Sequence, residues 1–194
     1  MDEKRIKTGL ALAMGTLAAA AACAANPLGL LEPVSLDHLP ARRMAYVEQV
    51  GNFQNNPEIY DVLLGKLLEW AIPANIWNFP GQTLIVNVYP DDPSVPPENQ
   101  RLWLGMTIDP GVVPPEGIHA LDLPAGLHAV GKFLIPSDQF GTAWGYLYGE
   151  WLPQSGHVPA GAFAYELQYN DSSEHPEQKH RVDVCIPVAP LPEQ

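Results

Sequence analysis

Apolar and polar residues alternate most clearly between Phe163 and Tyr169, where the sequence reads FAYELQY. The odd positions are large and apolar, whereas the even positions are Ala164, Glu166 and Gln168. A period of two predicts a β-strand with two different faces. One face must pack on a core, and the other carries Glu166 as its only charge. That second face either points to water on an ordinary antiparallel sheet or forms the floor of a ligand cleft.

Similar patterns predict five further strands and a first helix. Asn56, Pro57 and Glu58 are typical of a helix start, because asparagine caps the first turn and proline suits the first helical position. This helix should pack one apolar face on the core and end before Pro73. The six strands are predicted at residues 43–50, 83–89, 101–108, 126–134, 162–169 and 181–187.

A second helix is predicted from Ser137 to Leu152, and it carries a row of glycines beside its apolar stripe. The stripe has the spacing of one helix face and consists of Phe140, Ala143, Trp144, Leu147, Tyr148 and Trp151. The glycines stand four residues apart, at Gly141, Gly145 and Gly149. Each interior glycine costs about 1 kcal/mol relative to alanine, which predicts that something approaches the row closely. That partner is the sheet, the other helix, or a flat ligand against Trp144 and Tyr148.

Short matches recur in the same order about 80 residues apart, which indicates an internal duplication. The offsets are 84 for Leu39 and Leu123, 81 for Glu69-Trp70 and Glu150-Trp151, 80 for Tyr89-Pro90-Asp91 and Tyr169-Asn170-Asp171, 79 for Pro97-Glu98 and Pro176-Glu177, and 80 for Arg101 and Arg181. The prediction is an α+β fold in which a strand–helix–strand–strand module occurs twice, at 34–109 and 117–188. Its sheets should be mostly antiparallel, with the helices on one face.

Charge and residue types exclude several classes of function. The net charge is −12, and after the first 25 residues 20 acidic and 7 basic side chains remain. A chain with this negative charge repels the phosphate backbone of nucleic acids and attracts cations. Nucleic-acid binding is therefore not expected. The six histidines and two cysteines have no metal-ligand spacing, and no phosphate loop, dinucleotide fingerprint or nucleophile elbow is present. No metal or cofactor is therefore predicted.

Residues 1–25 differ from the rest of the chain and are typical of an export signal or a membrane or lipid anchor. Lys4, Arg5 and Lys7 precede a charge-free run of 17 residues, which is short for a membrane span. Small residues around Cys23 fit a cleavage site and, less well, a lipoprotein box. The alternative is that these residues are an uncleaved tail, or that the start site is assigned too early. In that case the protein is cytoplasmic. A linker is predicted at 26–33 and a tail at 189–194, and Cys185 is predicted to be a buried thiol.

Taken together, these residues resemble the GyrI-like small-molecule-binding domains, which occur alone or as effector-binding modules of AraC-type and multidrug-sensing transcription regulators. The resemblance spans Glu32 to Val188, and the single domain is predicted at 34–188. The resemblance rests on five short motifs. They are LPAxxxAYVEQVG at Leu39–Gly51, YPDDP at Tyr89–Pro93, EWLPxSG at Glu150–Gly156, the strand with Tyr165-Glu166, and VCIPV at Val184–Val188. The resemblance implies a tandem pair of modules with a ligand groove where they meet, and a carboxylate at Glu166 that faces lipophilic cations.

The chain departs from the family pattern at two points. Gln168 stands where relatives often have a tyrosine, two residues after the carboxylate, and no DNA-binding region is recognised. The offset of 80 makes Val86 the counterpart of Glu166, so that one half of the groove floor is acidic and the other apolar. Trp103 needs cover from a ligand, the other module or the linker. The candidate ligand-binding residues are Glu166, Trp103, Trp144, Tyr148, Trp151 and Val86.

Three functions are consistent with this sequence. The first is binding of amphipathic, cationic or aromatic small molecules without catalysis, because such sites are mostly apolar with few polar groups and aromatic faces attract cations. The second is hydrolysis of reactive cyclopropane-type alkylating compounds, with Glu166 positioning or activating water. The third is binding of a protein partner, as in relatives that interact with gyrase, and predicted export argues against it.

Overall fold

The computed structural model describes residues 28–192 except 52, 54, 55, 92, 93 and 162. The predicted leader at 1–25 lies outside the described residues, as do the first residues of the linker and the last two of the tail. Within the described part, no helix is long and apolar enough to cross a membrane.

The described residues form nine strands and two helices. The first helix, α1, runs from Pro57 to Ala71, and the second, α2, from Phe140 to Tyr146. A π-helical turn, Leu147–Trp151, continues α2 directly. Short 3-10 turns lie at Pro97–Asn99, Ser137–Gln139, Leu152–Gln154 and Ser172–Glu174. The strands are β1 (Ser35–Leu39), β2 (Arg42–Val50), β3 (Ile85–Val88), β4 (Arg101–Ile108), β5 (His119–Leu123), β6 (Gly126–Ile135), β7 (His157–Pro159), β8 (Tyr165–Gln168) and β9 (His180–Pro190).

All of the strands pair in antiparallel fashion, and eight of them follow the order β1-β6-β9-β8-β3-β4-β2-β5. The short strand β7 pairs with β9. The central contact joins β3 to β8, so the two halves of the chain meet at these strands. The outermost strands are exchanged, because β1 pairs with β6 of the second half and β5 pairs with β2 of the first.

Three apolar clusters show how the helices cover this sheet. One face of α1 packs Leu63 and Leu67 against Val47 of β2 and Leu104 of β4. The second helix packs against β6 and β9 in another cluster, which includes Phe133 and the π-turn. Both helices therefore lie on one face of the sheet, as predicted. The remaining cluster lies on the other face and joins residues of β2, β5, β6 and β9, so the sheet curls around it.

Most of the predicted elements are confirmed, with three differences. The strands β1, β5 and β7 had not been predicted, because they are short and carry no long alternating pattern. The predicted helix from Ser137 to Leu152 is four consecutive segments instead of one α-helix. Asn56 precedes α1 as predicted, but its side chain makes no capping hydrogen bond. Cys185 is fully buried, as predicted.

Candidate ligand site on the central strands

The candidate site lies between the two helices, over the middle of the sheet. Because α1 packs over β2 and β4 and the second helix packs over β6 and β9, the central strands β3 and β8 lie between them. In this pair Asn87 of β3 stands directly opposite Glu166 of β8. Their side chains lie on the face of the sheet that carries the helices.

Glu166 is fully buried, with no exposed surface. Trp144 of α2 donates from Nε1 to Glu166 Oε1 at 2.5 Å. Asn87 donates from Nδ2 to Glu166 Oε2 at 3.0 Å, and the Tyr89 hydroxyl donates a further hydrogen bond. The expectation that Glu166 faces water on an ordinary sheet is therefore wrong. The carboxylate is bound by neutral donors from both halves of the chain.

The two aromatic side chains that bind this carboxylate, Tyr89 and Trp144, contact further aromatic rings. The Tyr89 and Trp144 rings meet edge to face at 5.9 Å between centroids, and Phe53 lies 6.1 Å from Tyr89. Tyr148 stacks on Trp144, one turn along the helix, at 5.9 Å and an interplanar angle of 16°. Tyr60 of α1 is hydrogen-bonded to Tyr89. We call these five rings and Glu166 the aromatic box.

Burial dominates the electrostatics of the box. Desolvation raises the pKa of Glu166 to about 7, although the hydrogen bonds from Asn87, Trp144 and Tyr89 act in the opposite direction. Desolvation, with a smaller contribution from the charge of Glu166, also raises the pKa of Tyr89 well above its usual value. Among the described residues, no ion pair includes Glu166. The box thus holds a buried acid with a raised pKa and, among the described residues, no ion-pair partner.

Two of the predicted binding residues lie on the opposite face of the sheet. Val86 pairs with Leu167, one residue beyond the Asn87–Glu166 pair, so its side chain points into the cluster on the far face. Trp103 belongs to the same cluster and is covered by Phe163, 5.0 Å away, from the second half of the chain. Val86 is therefore not the counterpart of Glu166 in the groove, and Trp103 does not line it.

The residues predicted on the second helix separate into two groups. Trp144 and Tyr148 belong to the box, and Tyr148 keeps 42% of its surface exposed. Trp151 instead packs against the cluster beneath the helix. A Cβ added to Gly141, Gly145 or Gly149 would meet nothing within 4 Å. Neither the sheet nor α1 approaches the glycine row, so those two predicted partners are wrong.

The carboxylate of the box has no exposed surface. Open cavities occur elsewhere: one of about 200 Å³ lies between the start of α1 and Gln49. Another of about 380 Å³ is lined by Tyr146, Glu150, Trp151, Gln154 and Ser155. Neither is lined by Glu166. Of the two stacked helix rings, Trp144 and Tyr148, the Tyr148 ring is the more exposed.

Comparison with known proteins identifies the architecture. Residues 32–189 match the profile of the GyrI-like small molecule binding domain. The chain belongs to this GyrI-like family. A protein named DNA gyrase inhibitor from Yersinia enterocolitica serotype O:8 / biotype 1B is 32% identical over 136 residues, which are 67% of this chain and 82% of that protein.

Solved structures share this GyrI-like fold at low sequence identity. The C-terminal domain of EcmrR superposes with a TM-score of 0.64 at 16% identity, over 84% of this chain and all of that one (100%). SAV2435, solved bound to tetraphenylphosphonium, gives a TM-score of 0.56 at 10% identity, over 81% of this chain and 94% of that one.

Sequence reasoning missed the box residues Phe53, Tyr60 and Tyr89, together with Asn87 beside the box. Asn87 and Tyr89 lie in a predicted strand, and Tyr60 lies on the predicted first helix, but none has a pattern that marks a site. The one available signal was alternation, because Asn87 is a polar residue between Val86 and Val88 in a buried strand. Such an interruption indicates a polar partner across the sheet.

Proposed function

We propose that this protein binds hydrophobic cations in the aromatic box, with Glu166 as the charge that the ligand neutralises. The observation that carries the proposal is a fully buried carboxylate that, within the described part of the chain, receives its hydrogen bonds from neutral groups. Burying an unpaired charge is costly, and a bound cation removes that cost. The surrounding rings add dispersion contacts and cation–π attraction.

The family supports the same assignment. The GyrI-like family is a family of small-molecule-binding domains. The structural neighbour SAV2435 was solved with an aromatic cation, tetraphenylphosphonium. The acidic surface, with a net charge of −12, would raise the local concentration of cations. The aromatic box, the family and the negative net charge therefore all favour hydrophobic cations as ligands.

The direct test compares a cation with its neutral isostere. The 4-phenylbenzyltrimethylammonium ion and 4-neopentylbiphenyl have the same shape and differ in charge. Glu166→Gln keeps the side-chain shape and removes the charge, so it should weaken binding of the cation by about 1–3 kcal/mol and leave the neutral compound almost unaffected. Quenching of tryptophan fluorescence measures both affinities. Equal affinities of the wild type and Glu166→Gln for the cation would end the proposal.

The affinity for the cation should also depend on pH. Glu166 must be ionised to pair with the ligand, and its pKa in the empty protein is about 7. The ionised fraction therefore rises about tenfold between pH 6 and pH 8, and so should the affinity for a permanently charged cation. The neutral isostere should bind equally at both values. Isothermal titration in two buffers of different ionisation enthalpy would also detect the proton that binding releases.

Hydrolysis is a second candidate, because a carboxyl with a pKa of about 7 suits a general base. On this reading Glu166 would activate or position water for attack on a reactive small molecule such as a cyclopropane-type alkylating compound. Turnover separates the two candidates, since an enzyme consumes its ligand and a binder returns it unchanged. Mass spectrometry of the compound after incubation with wild type and Glu166→Gln measures this.

Inhibition of DNA gyrase is a third candidate, favoured by the name of the Yersinia relative. A supercoiling assay with purified gyrase tests it. If this protein inhibits supercoiling and Glu166→Gln inhibits equally, the gyrase contact is independent of the box. A leader that exports the protein would argue against this function.

We further propose that the ligand groove lies between two copies of one module. The strand order supports this, because each half contributes one helix and three adjacent strands on its own side of the central β3–β8 contact, and the outermost strands β1 and β5 are exchanged symmetrically. Superposing residues 34–109 on 117–188 in an experimental structure should pair Leu39 with Leu123, Trp70 with Trp151 and Arg101 with Arg181. Different paths of the chain in the two halves would contradict the duplication.

We also propose that residues 1–25 direct export or anchor the protein through lipid at Cys23. The contrast between the basic, charge-poor start and the acidic remainder supports this proposal. The intact mass of the protein from its native cell should show removal of the leader or a lipid adduct. An unmodified chain starting at Met1 in the cytosol would contradict it.

A further inference from the structure

Asn87 carries an unmet hydrogen-bond acceptor beside the box carboxylate. Its side chain is 2% exposed, and its Nδ2 atom donates to Glu166. Its Oδ1 atom is buried and accepts no hydrogen bond from any described residue. Native proteins leave few buried polar atoms in this state, so each one calls for a partner.

The donor side of the amide already binds the carboxylate. Nδ2 donates to Glu166, and the orphaned Oδ1 is bonded to the same carbon as Nδ2, so the unmet acceptor belongs to a side chain that contacts the carboxylate directly. Two hydrogen-bonded neighbours, Glu166 of the box and Asn87 beside it, therefore each carry a buried acceptor, one charged and one neutral. Among the described groups that approach Glu166, the donors from Trp144, Asn87 and Tyr89 are already used on the carboxylate itself.

A ligand that meets both acceptors needs a positive charge and an N–H bond. A quaternary ammonium or a phosphonium ion neutralises Glu166 but has no hydrogen to donate, so it leaves Oδ1 without a partner. A site built to hydrogen-bond a ligand N–H discriminates strongly against the analogue that lacks it, because the buried acceptor then remains desolvated and unpaired.

From this geometry we propose that Asn87 is a specificity-determining residue that selects protonated amines or amidines over quaternary cations. The inference rests on the proposed function, since it names the class of cation that the box prefers. The charge contact to Glu166 and the hydrogen bond to Asn87 Oδ1 are made by the same cationic group of the ligand.

The test compares two cations in a mutant cycle. The probes are 4-phenylbenzylammonium and 4-phenylbenzyltrimethylammonium, which share the biphenyl group and the charge at pH 7.5. Asn87→Leu keeps the branched shape of the side chain and removes the amide. The ratio of the two affinities should fall by about tenfold from wild type to Asn87→Leu, since one hydrogen bond to a charged donor is lost for the ammonium probe alone.

Gln168→Leu is the matched control. Gln168 lies on the same face of β8, two residues from Glu166, and its amide has no orphaned buried atom. Its substitution should leave the ratio of affinities within about twofold of the wild-type ratio. Thermal melts establish that both variants fold, and taking the ratio cancels any general loss of binding.

Two results would overturn the inference, and both differ from failure of the proposed function. One is an unchanged ratio in Asn87→Leu; the other is a crystal structure with the ammonium probe in which Oδ1 accepts only from an ordered water. If instead neither cation binds the wild type at all, the proposed function fails together with the inference.

Discussion

The protein contains two tryptophan–glutamate pairs on opposite faces of one sheet, and they differ in what surrounds them. Trp144 donates to Glu166 at 2.5 Å in the box, and Trp103 donates to Glu48 at 2.7 Å on the other face. Glu48 is exposed to solvent, whereas Glu166 is fully buried. The Arg101 guanidinium lies 5.7 Å from the centroid of the Trp103 ring and interacts with the charge of Glu48.

The difference lies in where the positive charge comes from. Glu48 is exposed, and Arg101 lies beside both Glu48 and the Trp103 ring. An aromatic ring, a carboxylate and a cation from the protein itself are therefore already close together. At Glu166 the ring and the carboxylate are present, but no described ion pair completes them. The same hydrogen bond is therefore part of a satisfied surface cluster in one place and of a site that lacks a cation in the other.

The largest effect should come from Glu166→Gln. The folded-state pKa of Glu166 is about 7, above the usual glutamate value of 4.5, so folded protein binds more protons than unfolded protein between these pH values. The free energy of unfolding of the wild type should therefore fall as pH rises from about 5 to 8, by about 2–3 kcal/mol relative to Glu166→Gln. Urea denaturation at several pH values measures this. Parallel pH profiles of the two proteins would show that Glu166 is not buried.

Removing the indole donor should have a smaller effect that also depends on pH. Trp144→Phe keeps an aromatic ring and removes the N–H that binds Glu166. Hydrogen bonds to charged groups are the stronger ones, so the variant should lose about 1 kcal/mol more stability at pH 8 than at pH 5. Trp103→Phe is the control, because its partner is solvated. A loss that is equal at both pH values would assign Trp144 a packing role alone.

The helix that carries Trp144 offers a third comparison. Gly145 lies within α2, and an added Cβ meets nothing within 4 Å. Gly145→Ala should therefore stabilise the protein by about 0.5–1 kcal/mol, through the lower conformational entropy of the unfolded chain. If a flat ligand lies on the glycine row, the same methyl group should weaken its binding. Thermal denaturation with and without the biphenyl cation measures both effects.

The smallest effect should come from Glu48→Gln. Because Glu48 is exposed and lies on the other face of the sheet, the substitution should change stability by less than about 0.5 kcal/mol and leave binding of the cation unchanged. Fluorescence titration alongside Glu166→Gln provides the comparison. A loss of affinity as large as that of Glu166→Gln would indicate that the cation binds on the face of the sheet that carries Glu48.

Much of the fold followed from local patterns. The strand around Glu166, the helix that begins at Pro57 and the position of both helices on one face were predicted from alternation, helix-start residues and apolar spacing. The family followed from short motifs in the correct order, and the profile match over residues 32–189 confirms it. Such features depend on residues close together in the sequence, which is why they can be read from it.

The composition of the site depended on the tertiary structure, and the central strand pair shows why. An offset of 80 residues takes Glu166 to Val86, yet the register of β3 and β8 places Asn87 opposite Glu166. A shift of one residue moves a side chain to the other face of a sheet, so a sequence offset that is correct to one residue still exchanges a buried valine for the asparagine of the site. The sequence by itself determined that a carboxylate stands in a half-apolar strand. Only the pairing of distant strands decided which groups surround it.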